Sequence, residues 1–231
     1  MLGRIHNAWR RLSRGFGTDI TTIAGRRAAW LHFYLFDHAF LRILWTNHAE
    51  IAPGVWRANQ PSPQRLRALK ARGLRSVLNL RGTSAYAFHL FERETCDALG
   101  LTLINHKIYP RRLVPPAQLS EIFAIFDQIE KPFLLHCKSG ADRAGLVSAL
   151  WLLDQEGCTL TQARRMLSLR FLHLKSTHTG LMDAILDAYE ADTRDAPMLI
   201  REWVATRYDP DAITADFYGR KGQPVPGTKT A

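Results

Sequence analysis

From about residue 51 onward, the chain alternates short apolar runs with segments of helical spacing, and this alternation restricts its fold more than any other feature. Strand patterns occur in GVWRANQPSP, LRSVLNLRG, LTLINHKI and FLLHC, and each is followed by a helical segment. Strands that alternate with helices are typical of an α/β domain with a largely parallel central sheet flanked by helices. Because the site of such a sheet lies at the carboxyl ends of its strands, the pattern also predicts where to look for function.

The predicted helices have recognisable start and stop residues. Gly73 stops the helix PQRLRALKARG, and Gly100 ends the helical spacing of residues 86–99. Pro115 and Pro116 open a helix that runs through residue 129. Further helices are predicted in AGLVSALWLLDQEG, at about residues 159–170 and 178–192, and in MLIREWVATRY. The last segment, GRKGQPVPGTKTA, is polar and rich in Gly, Pro and Lys, which predicts a mobile tail.

Three segments are predicted along the chain. Residues 1–48 form a basic, aromatic-rich N-terminal arm, residues 49–195 the main domain, and residues 196–231 a C-terminal helix and tail. The arm has seven arginines and two aspartates, a net charge of +5, whereas the whole chain has +10. Two interpretations stay open: the aromatic side chains pack on the domain, or residues 1–45 lie on an anionic membrane surface.

Charge and cysteine content limit the partners and the compartment. A net charge of +10 indicates anionic partners such as phosphorylated compounds, nucleic acid or an acidic membrane. The three cysteines show no metal-ligand spacing and no disulfide framework, which favours a reducing compartment. The apolar run of residues 30–45 is interrupted by charges and too short to cross a bilayer, and a secretory signal is disfavoured. We therefore expect a cytoplasmic protein, with peripheral attachment to the inner face of the membrane as an alternative.

One cysteine follows a buried strand directly and precedes an arginine by six positions, in HCKSGADRAG. Small residues at Ser139, Gly140 and Ala141 let successive backbone N–H groups turn inward, and the following helix adds its positive end, so the loop can bind a phosphate. The guanidinium of Arg143 can hold two phosphate oxygens. The same positive surroundings favour the thiolate form of Cys137.

A thiolate beside a phosphate-binding loop predicts attack on phosphorus, a phosphocysteine intermediate and its hydrolysis. Charge that develops on the equatorial oxygens would be met by the loop N–H groups and by Arg143. The alternative is that Cys137 is a small buried residue at a strand end, which is common for free cysteines. The strand, loop and helix around it argue against that alternative.

His136, Cys137, five further residues and Arg143 resemble the signature of the cysteine-dependent protein tyrosine and dual-specificity phosphatases. The wider pattern is similar to bacterial members of the dual-specificity group and extends over about residues 51–191, including VLNLRG and FLHLKSTHTGLMDAILDAYE. The resemblance implies the cysteine phosphatase fold, hydrolysis of phosphate monoesters and no metal cofactor. It also implies that Cys137 is the nucleophile, Arg143 the phosphate-binding arginine, and Lys138 to Asp142 the phosphate-binding loop.

The chain departs from this family pattern at two places. Many members take a general acid from an Asp on a loop well before the cysteine, but here that region reads INHKIYPRRLVPP and has no carboxylate. Asp142 is the candidate acid, and the alternative is that it supports the loop by pairing with a neighbouring base. Ala144 stands where the family usually has Ser or Thr to hydrogen-bond the sulfur, which predicts slow breakdown of the phosphocysteine.

Basic residues predict a positive surface around the site. Lys138 with Arg81, Lys107, Arg111 and Arg112 would favour polyanionic substrates such as inositol phosphates or phospholipid headgroups over a lone phosphotyrosine. Arg81, at the end of an apolar strand, is the candidate for a second phosphate contact, whereas Arg111 and Arg112 fit a solvated pair better. Further candidates to line the cleft are His173, Lys175 and His178.

The leading hypothesis is a phosphatase that acts on a phosphoprotein or on an anionic phosphoinositide, inositol phosphate or phospholipid. The alternative is a catalytically weak phosphate-binding module, which Ala144 and the missing upstream carboxylate keep open. A nucleic-acid binder would rest on net charge alone, so no nucleic-acid partner is expected.

Overall fold

The computed structural model describes residues 16–226. The first fifteen residues of the predicted arm and the last five of the predicted tail lie outside the described residues. Within the described range, five strands form one sheet in the order β1-β2-β5-β3-β4. Their bounds are Ala49–Ala52 (β1), Val55–Ala58 (β2), Ser76–Asn79 (β3), Thr102–Asn105 (β4) and Phe133–His136 (β5). Only the β1 pairing with β2 is antiparallel, which confirms the predicted mostly parallel α/β sheet.

Helices cover both faces of the sheet. In chain order within residues 16–226 they are Ile23–Leu31 (α1), Leu41–Leu44 (α2), Pro63–Ala71 (α3), Ala87–Leu99 (α4), Pro116–Gln128 (α5), Asp142–Asp154 (α6), Leu160–Arg164 (α7), Leu181–Thr193 (α8), Ile200–Thr206 (α9) and Pro210–Gly219 (α10). Phe133 and Leu135 of β5 pack into the larger core with α5, α6 and α8, whereas Leu134 points into the smaller core with α3 and α4. This alternation follows from the two-residue period of a strand buried on both faces.

β5 lies in the centre of the sheet, and all four of its residues are buried. Its last residue, His136, is in register with Ala58 of β2 and Asn79 of β3. Three parallel strands therefore end side by side, and the residue after β5 is Cys137. The fold places the predicted phosphate-binding loop at the middle of the carboxyl edge.

The helix predicted over residues 159–170 is wrong in its second half, because α7 ends at Arg164 and residues 169–171 form a single 3₁₀ turn. The backbone there serves the site instead. The carbonyl of Met166 accepts from Arg57 and that of Phe171 from Asn47. A helix that continued to residue 170 would have used the Met166 carbonyl for its own hydrogen bond.

The C-terminal region contains one more helix than the sequence pattern suggested. Asp209 caps the start of α10 and Pro210 occupies its first turn, a start signal that the periodicity analysis overlooked. Trp203, Tyr208 and Phe217 are buried in the larger core. The segment after residue 196 thus packs on the same core as the central sheet.

The described part of the arm packs on α4. Ala29 and Phe33 are buried together with Ala87 and Phe91, and the Trp30 ring stacks on Phe91 with the ring centroids 4.3 Å apart. This part of the aromatic stripe therefore packs on the domain, as the first interpretation of the arm expected. Among residues 16–226, no helix is both long and apolar enough to cross a membrane.

Candidate active site

The phosphate-binding loop curls around the Cys137 sulfur. Cys137 is buried, and its Sγ accepts a hydrogen bond of 3.2 Å from the backbone N–H of Gly140. Gly140 has a φ of +73°, and a Cβ at this position would lie 2.7 Å from the backbone of Ala58 and Asn59. Only glycine meets both the conformational and the steric demand, so the loop presses its backbone against β2 and directs an N–H to the sulfur.

Arg57 supports this loop from behind. Its fully buried guanidinium donates to the carbonyls of Gly140 at 2.6 Å, Met166 at 2.8 Å and Ala141 at 3.3 Å. Burial lowers the pKa of Arg57 to about 10, although the nearby Cys137 opposes the shift. Carbonyls held toward Arg57 leave the opposite side of the loop to its N–H groups. Arg57 thereby favours the anion-binding conformation.

Arg143 extends from the first turn of α6 across the ends of two strands. Its guanidinium donates to the carbonyl of Leu80 at 3.4 Å and to that of Ile108 at 3.3 Å. Hydrogen bonds of this length are weak and can be exchanged for bonds to phosphate oxygens at little cost. Arg143 is therefore already directed toward the carboxyl edge on which Cys137 lies.

Asp142 pairs with a base, as the second interpretation of this residue expected. Its Oδ1 lies 2.8 Å from Nδ1 of His173, whose Nε2 lies 2.6 Å from Oδ2 of Asp183. Burial on its own lowers the pKa of His173, but the hydrogen bonds to the two carboxylates outweigh it and raise the pKa to about 9. At neutral pH an imidazolium therefore donates from both ring nitrogens, one of them to the phosphate-binding loop.

Arg81, the candidate for a second phosphate contact, is paired with a carboxylate of the arm. Its two terminal nitrogens donate to Asp37 at 2.7 and 3.1 Å, and Arg42 donates to the same carboxylate at 2.7 Å. Lys138 of the loop lies 3.5 Å from it. Burial alone would raise the pKa of Asp37, but the charge of Arg81 and its neighbours lowers it to about 2. Asp37 thus takes hydrogen bonds that Arg81 could otherwise offer to another anion.

A buried histidine–glutamate contact lies next to the cysteine. His136 Nε2 is 2.8 Å from Oε1 of Glu92 on α4, and both side chains are fully enclosed. Burial raises the pKa of Glu92 on its own, but the charge of His136 and hydrogen bonding lower it to about 2. Gln60 donates to Glu92 at 2.9 Å and accepts from Arg81 at 2.8 Å. A continuous chain of polar contacts thus links the residue before Cys137 to the arginine at the opening of the site.

The sequence interpretation missed several of these residues, and two of them had a visible signal. Arg57 is a charged residue inside the apolar strand VWRA, and Glu92 lies on the apolar side of the helix AFHLFERETCDAL. A buried charge of this kind needs a partner and often marks a functional site. Asp37 and Asn47 had no signal, because only the tertiary structure brings the arm to the site.

Other predicted residues have partners elsewhere. Lys175 lies 3.4 Å from Asp187, and His178 Nδ1 lies 3.3 Å from the Tyr218 hydroxyl. Lys107 and Arg112 both lie over the ring of Tyr109, and Arg111 is exposed. Of the other cysteines, Cys158 is half-buried, and burial raises the pKa of the Cys96 thiol to about 12. No cluster suited to a metal ion occurs within residues 16–226.

Residues 44–180, which include the whole sheet and the loop, match the model of a protein family described as "DSP-PTPase phosphatase fused to NAD+ Kinase". The chain belongs to this phosphatase family. Membership supports a hydrolase that acts on phosphate monoesters. A search of the curated proteins found no match.

Several solved structures share the fold of this chain. TpbA of P. aeruginosa has a TM-score of 0.51 at 20% identity, over 64% of this chain and 87% of its own. A putative phosphatase of the DUF442 group from Shewanella putrefaciens CN-32 has a TM-score of 0.51 at 18% identity, over 63% and 90%. A mutant form of Tk-PTP has a TM-score of 0.51 at 21% identity, over 64% and 97%. At such identities the likeness supports the fold alone.

Proposed function

We propose that the phosphatase domain, residues 49–195, hydrolyses phosphate monoesters through a covalent phosphocysteine on Cys137. The observation that carries the proposal is the position of the Cys137 sulfur, which lies inside a loop whose Gly140 N–H points at it. The loop leads into α6, so the positive helix end lies next to it, and Arg143 in the first turn of that helix reaches the same edge of the sheet. These are the requirements for binding a dianionic phosphoryl group next to a nucleophile.

The reaction has two displacement steps. The Cys137 thiolate attacks phosphorus, the S–P bond forms, and the bond to the ester oxygen breaks. Arg143 exchanges its two backbone carbonyl partners for the phosphoryl group. Together with the loop N–H groups, it then stabilises the charge on the equatorial oxygens. Water then attacks phosphorus, the S–P bond breaks, the thiolate is restored as hydrogen phosphate forms, and the proton that water gives up returns to the group that protonated the ester oxygen.

The ester oxygen needs a proton as it leaves, and we propose that the Asp142–His173 pair supplies it. In the free protein the shared proton resides on His173, whose pKa is raised to about 9 by the two carboxylates. Transfer of Nδ1–H to Asp142 Oδ1, 2.8 Å away, would allow Asp142 to protonate the leaving group. Asp183, which bonds the other ring nitrogen, would hold the imidazole in place.

A phosphate-binding module with little turnover remains the second candidate, because Ala144 supplies no hydroxyl to the sulfur. The nearby Ser148 hydroxyl donates instead to the Ala144 carbonyl at 2.6 Å, and Ser139 Oγ accepts from the Ala141 N–H at 3.3 Å. Neither of these contacts stabilises the thiolate as it leaves phosphorus. The phosphocysteine should therefore be long-lived.

Rapid-quench kinetics with p-nitrophenyl phosphate separate the two candidates. The proposal expects a burst of p-nitrophenol, slow turnover and a trapped phosphate on Cys137. Cys137→Ser should abolish the burst while phosphate binding persists, and Cys158→Ser is the matched control. Phosphate binding by the wild-type protein with neither burst nor turnover would favour the binding module and sink the enzyme.

A further inference from the structure

Exposed apolar side chains are concentrated in two segments. Among the large apolar residues that stand exposed within residues 16–226, all but Leu199 lie between residues 23 and 45 or between residues 169 and 174. We call the eight nearest the site the apolar rim: Phe40, Leu41, Ile43, Leu44, Trp45, Leu169, Leu172 and Leu174. Leu44 is the extreme case, with 93% of its surface exposed.

Asn47 joins both parts of the apolar rim to the phosphate-binding loop. Its Nδ2 donates at 2.9 Å to the carbonyl of Ser139 in the loop and at 2.9 Å to that of Phe171. Asn47 follows Trp45 by two residues, and Phe171 precedes Leu172. The two segments that carry the exposed side chains are therefore both held close to the phosphate-binding loop.

One leucine of the apolar rim has an unfavourable backbone conformation. Leu172 has a φ of +55° and half of its surface exposed. A left-handed conformation is unfavourable for a branched side chain, and this leucine gains little burial in return. Strain at an exposed residue next to a site is a marker of function.

The charges near the rim favour an anionic lipid surface over a second copy of the chain. Exposed Arg170 lies between Leu169 and Leu172. Lys175, whose side chain is 63% exposed and lies 3.4 Å from Asp187, follows Leu174. A symmetric dimer through this face would bring the same cations together, whereas an anionic bilayer offers phosphates to Arg170 and Lys175 and hydrocarbon to the leucines and Trp45.

We propose that the apolar rim docks on an anionic phospholipid bilayer and that the substrate is a phosphomonoester on a membrane lipid. The substrate class rests on the proposed hydrolysis at Cys137, whereas the docking does not. With the rim in the interface, the loop opening between its two segments faces the headgroup layer. A lipid phosphomonoester then reaches the sulfur without leaving the membrane.

The docking test is sedimentation of the full chain with phosphatidylcholine vesicles, with and without phosphatidylglycerol. Binding should need the anionic lipid and weaken as ionic strength rises. Leu44→Glu and Leu169→Glu should each lower the partition coefficient about tenfold or more, since each removes a leucine from the interface and adds a like charge. Leu199→Glu, at a leucine that is 74% exposed but lies outside the apolar rim, is the matched control. Equal binding by all variants, no binding by wild type, or a dimer that Leu44→Glu dissociates would overturn the proposal.

The substrate test compares one headgroup in two forms: phosphatidic acid in the same vesicles and its water-soluble dihexanoyl form. Wild type should have a higher kcat/KM on phosphatidic acid in vesicles than on the soluble form. In Leu44→Glu the ratio of these two kcat/KM values should fall about tenfold, with the rate on p-nitrophenyl phosphate used to normalise the activity of each protein. Turnover of p-nitrophenyl phosphate without either lipid would refute the lipid substrate. If wild type hydrolyses none of the three, the proposed catalysis fails, while sedimentation still decides the docking.

Discussion

The charged side chains behind the phosphate-binding loop contact strands, helices and loops of the phosphatase domain. The charged side chains at the opening of the loop are different ones, and they pair with one residue of the N-terminal arm. Arg57 and the His136–Glu92 pair are fully enclosed, and their partners lie in the loop itself, in α4, and at Gln60 and Met166. Arg81 and Lys138 instead face Asp37. The contacts behind the loop thus come mainly from the domain, with one from Asn47 of the arm to the Ser139 carbonyl, whereas the charge at its opening depends on where the arm lies.

The largest effect is expected from breaking the rear support with Arg57→Met. The carbonyls of Gly140 and Met166 would lose the donor that Arg57 provides, at roughly 1–3 kcal/mol for each that stays buried without one, whereas the Ala141 carbonyl keeps its bond from the Gly145 N–H. Small displacements of the loop should lower kcat/KM for p-nitrophenyl phosphate about 100-fold. Urea unfolding and steady-state kinetics measure the two effects.

Arg201→Met is the control for this substitution. Arg201 also makes several ion pairs, to Asp127 and Asp154, but it is well exposed, so its loss should cost no more than about 1 kcal/mol. Normal kinetics in Arg57→Met would show that the loop keeps its conformation without the buried guanidinium, and the contrast between rear and opening would disappear.

The contact between His173 and Asp142 of the loop should make the free energy of unfolding depend on pH in a characteristic way. The pKa of His173 is about 9 in the folded chain against 6.5 in its ordinary state, so its contribution is complete below pH 6.5 and is lost as the pH rises through 9. The loss is up to about 3 kcal/mol at 1.36 kcal/mol per pH unit. Urea unfolding of wild type and His173→Gln between pH 6 and 9.5 should show the difference shrink with pH, whereas His178→Gln should follow wild type. A constant difference would mean that His173 is neutral in the fold.

How well the sequence predicts a part of the site depends on how far apart in the chain the contacting residues lie. The phosphate-binding loop is local: a buried strand, the residues HCKSGADR and the apolar helix after it were enough to place Cys137, Gly140 and Arg143 together. The pairing of Asp142 was foreseen as an alternative, but its partner comes from 31 residues away and could not be identified. Asp37 and Arg81 are 44 residues apart and meet only because the arm folds over α4. No periodicity or motif in the arm encodes that meeting.

The opening of the site can be altered with Asp37→Asn, which leaves hydrogen-bonding atoms in place but removes the negative charge. Arg81 and Lys138 would then be available to a second anionic group, so inhibition by inositol hexakisphosphate should tighten about tenfold, for roughly 1.4 kcal/mol of recovered interaction. Inhibition by inorganic phosphate should change much less. Asp19→Asn, on an exposed turn of the same arm, is the control. Unchanged or weaker polyanion binding would remove Arg81 from the substrate contacts and leave its pairing with Asp37 purely structural.

The smallest effect is expected on the rate at which the phosphocysteine on Cys137 breaks down. Ala144→Ser would place a hydroxyl one residue after Arg143, where a donor could stabilise the departing thiolate. One neutral hydrogen bond contributes about 1 kcal/mol, so the second step should accelerate about fivefold while the burst keeps its rate. Ala149→Ser, at another fully buried alanine of α6, controls for the added polar atom. Faster breakdown in Ala144→Ser alone would trace the slow step to the missing hydroxyl. Equal rates in wild type and variant would instead mean that the Gly140 N–H, 3.2 Å from the sulfur, already provides the stabilisation that relatives obtain from a side chain.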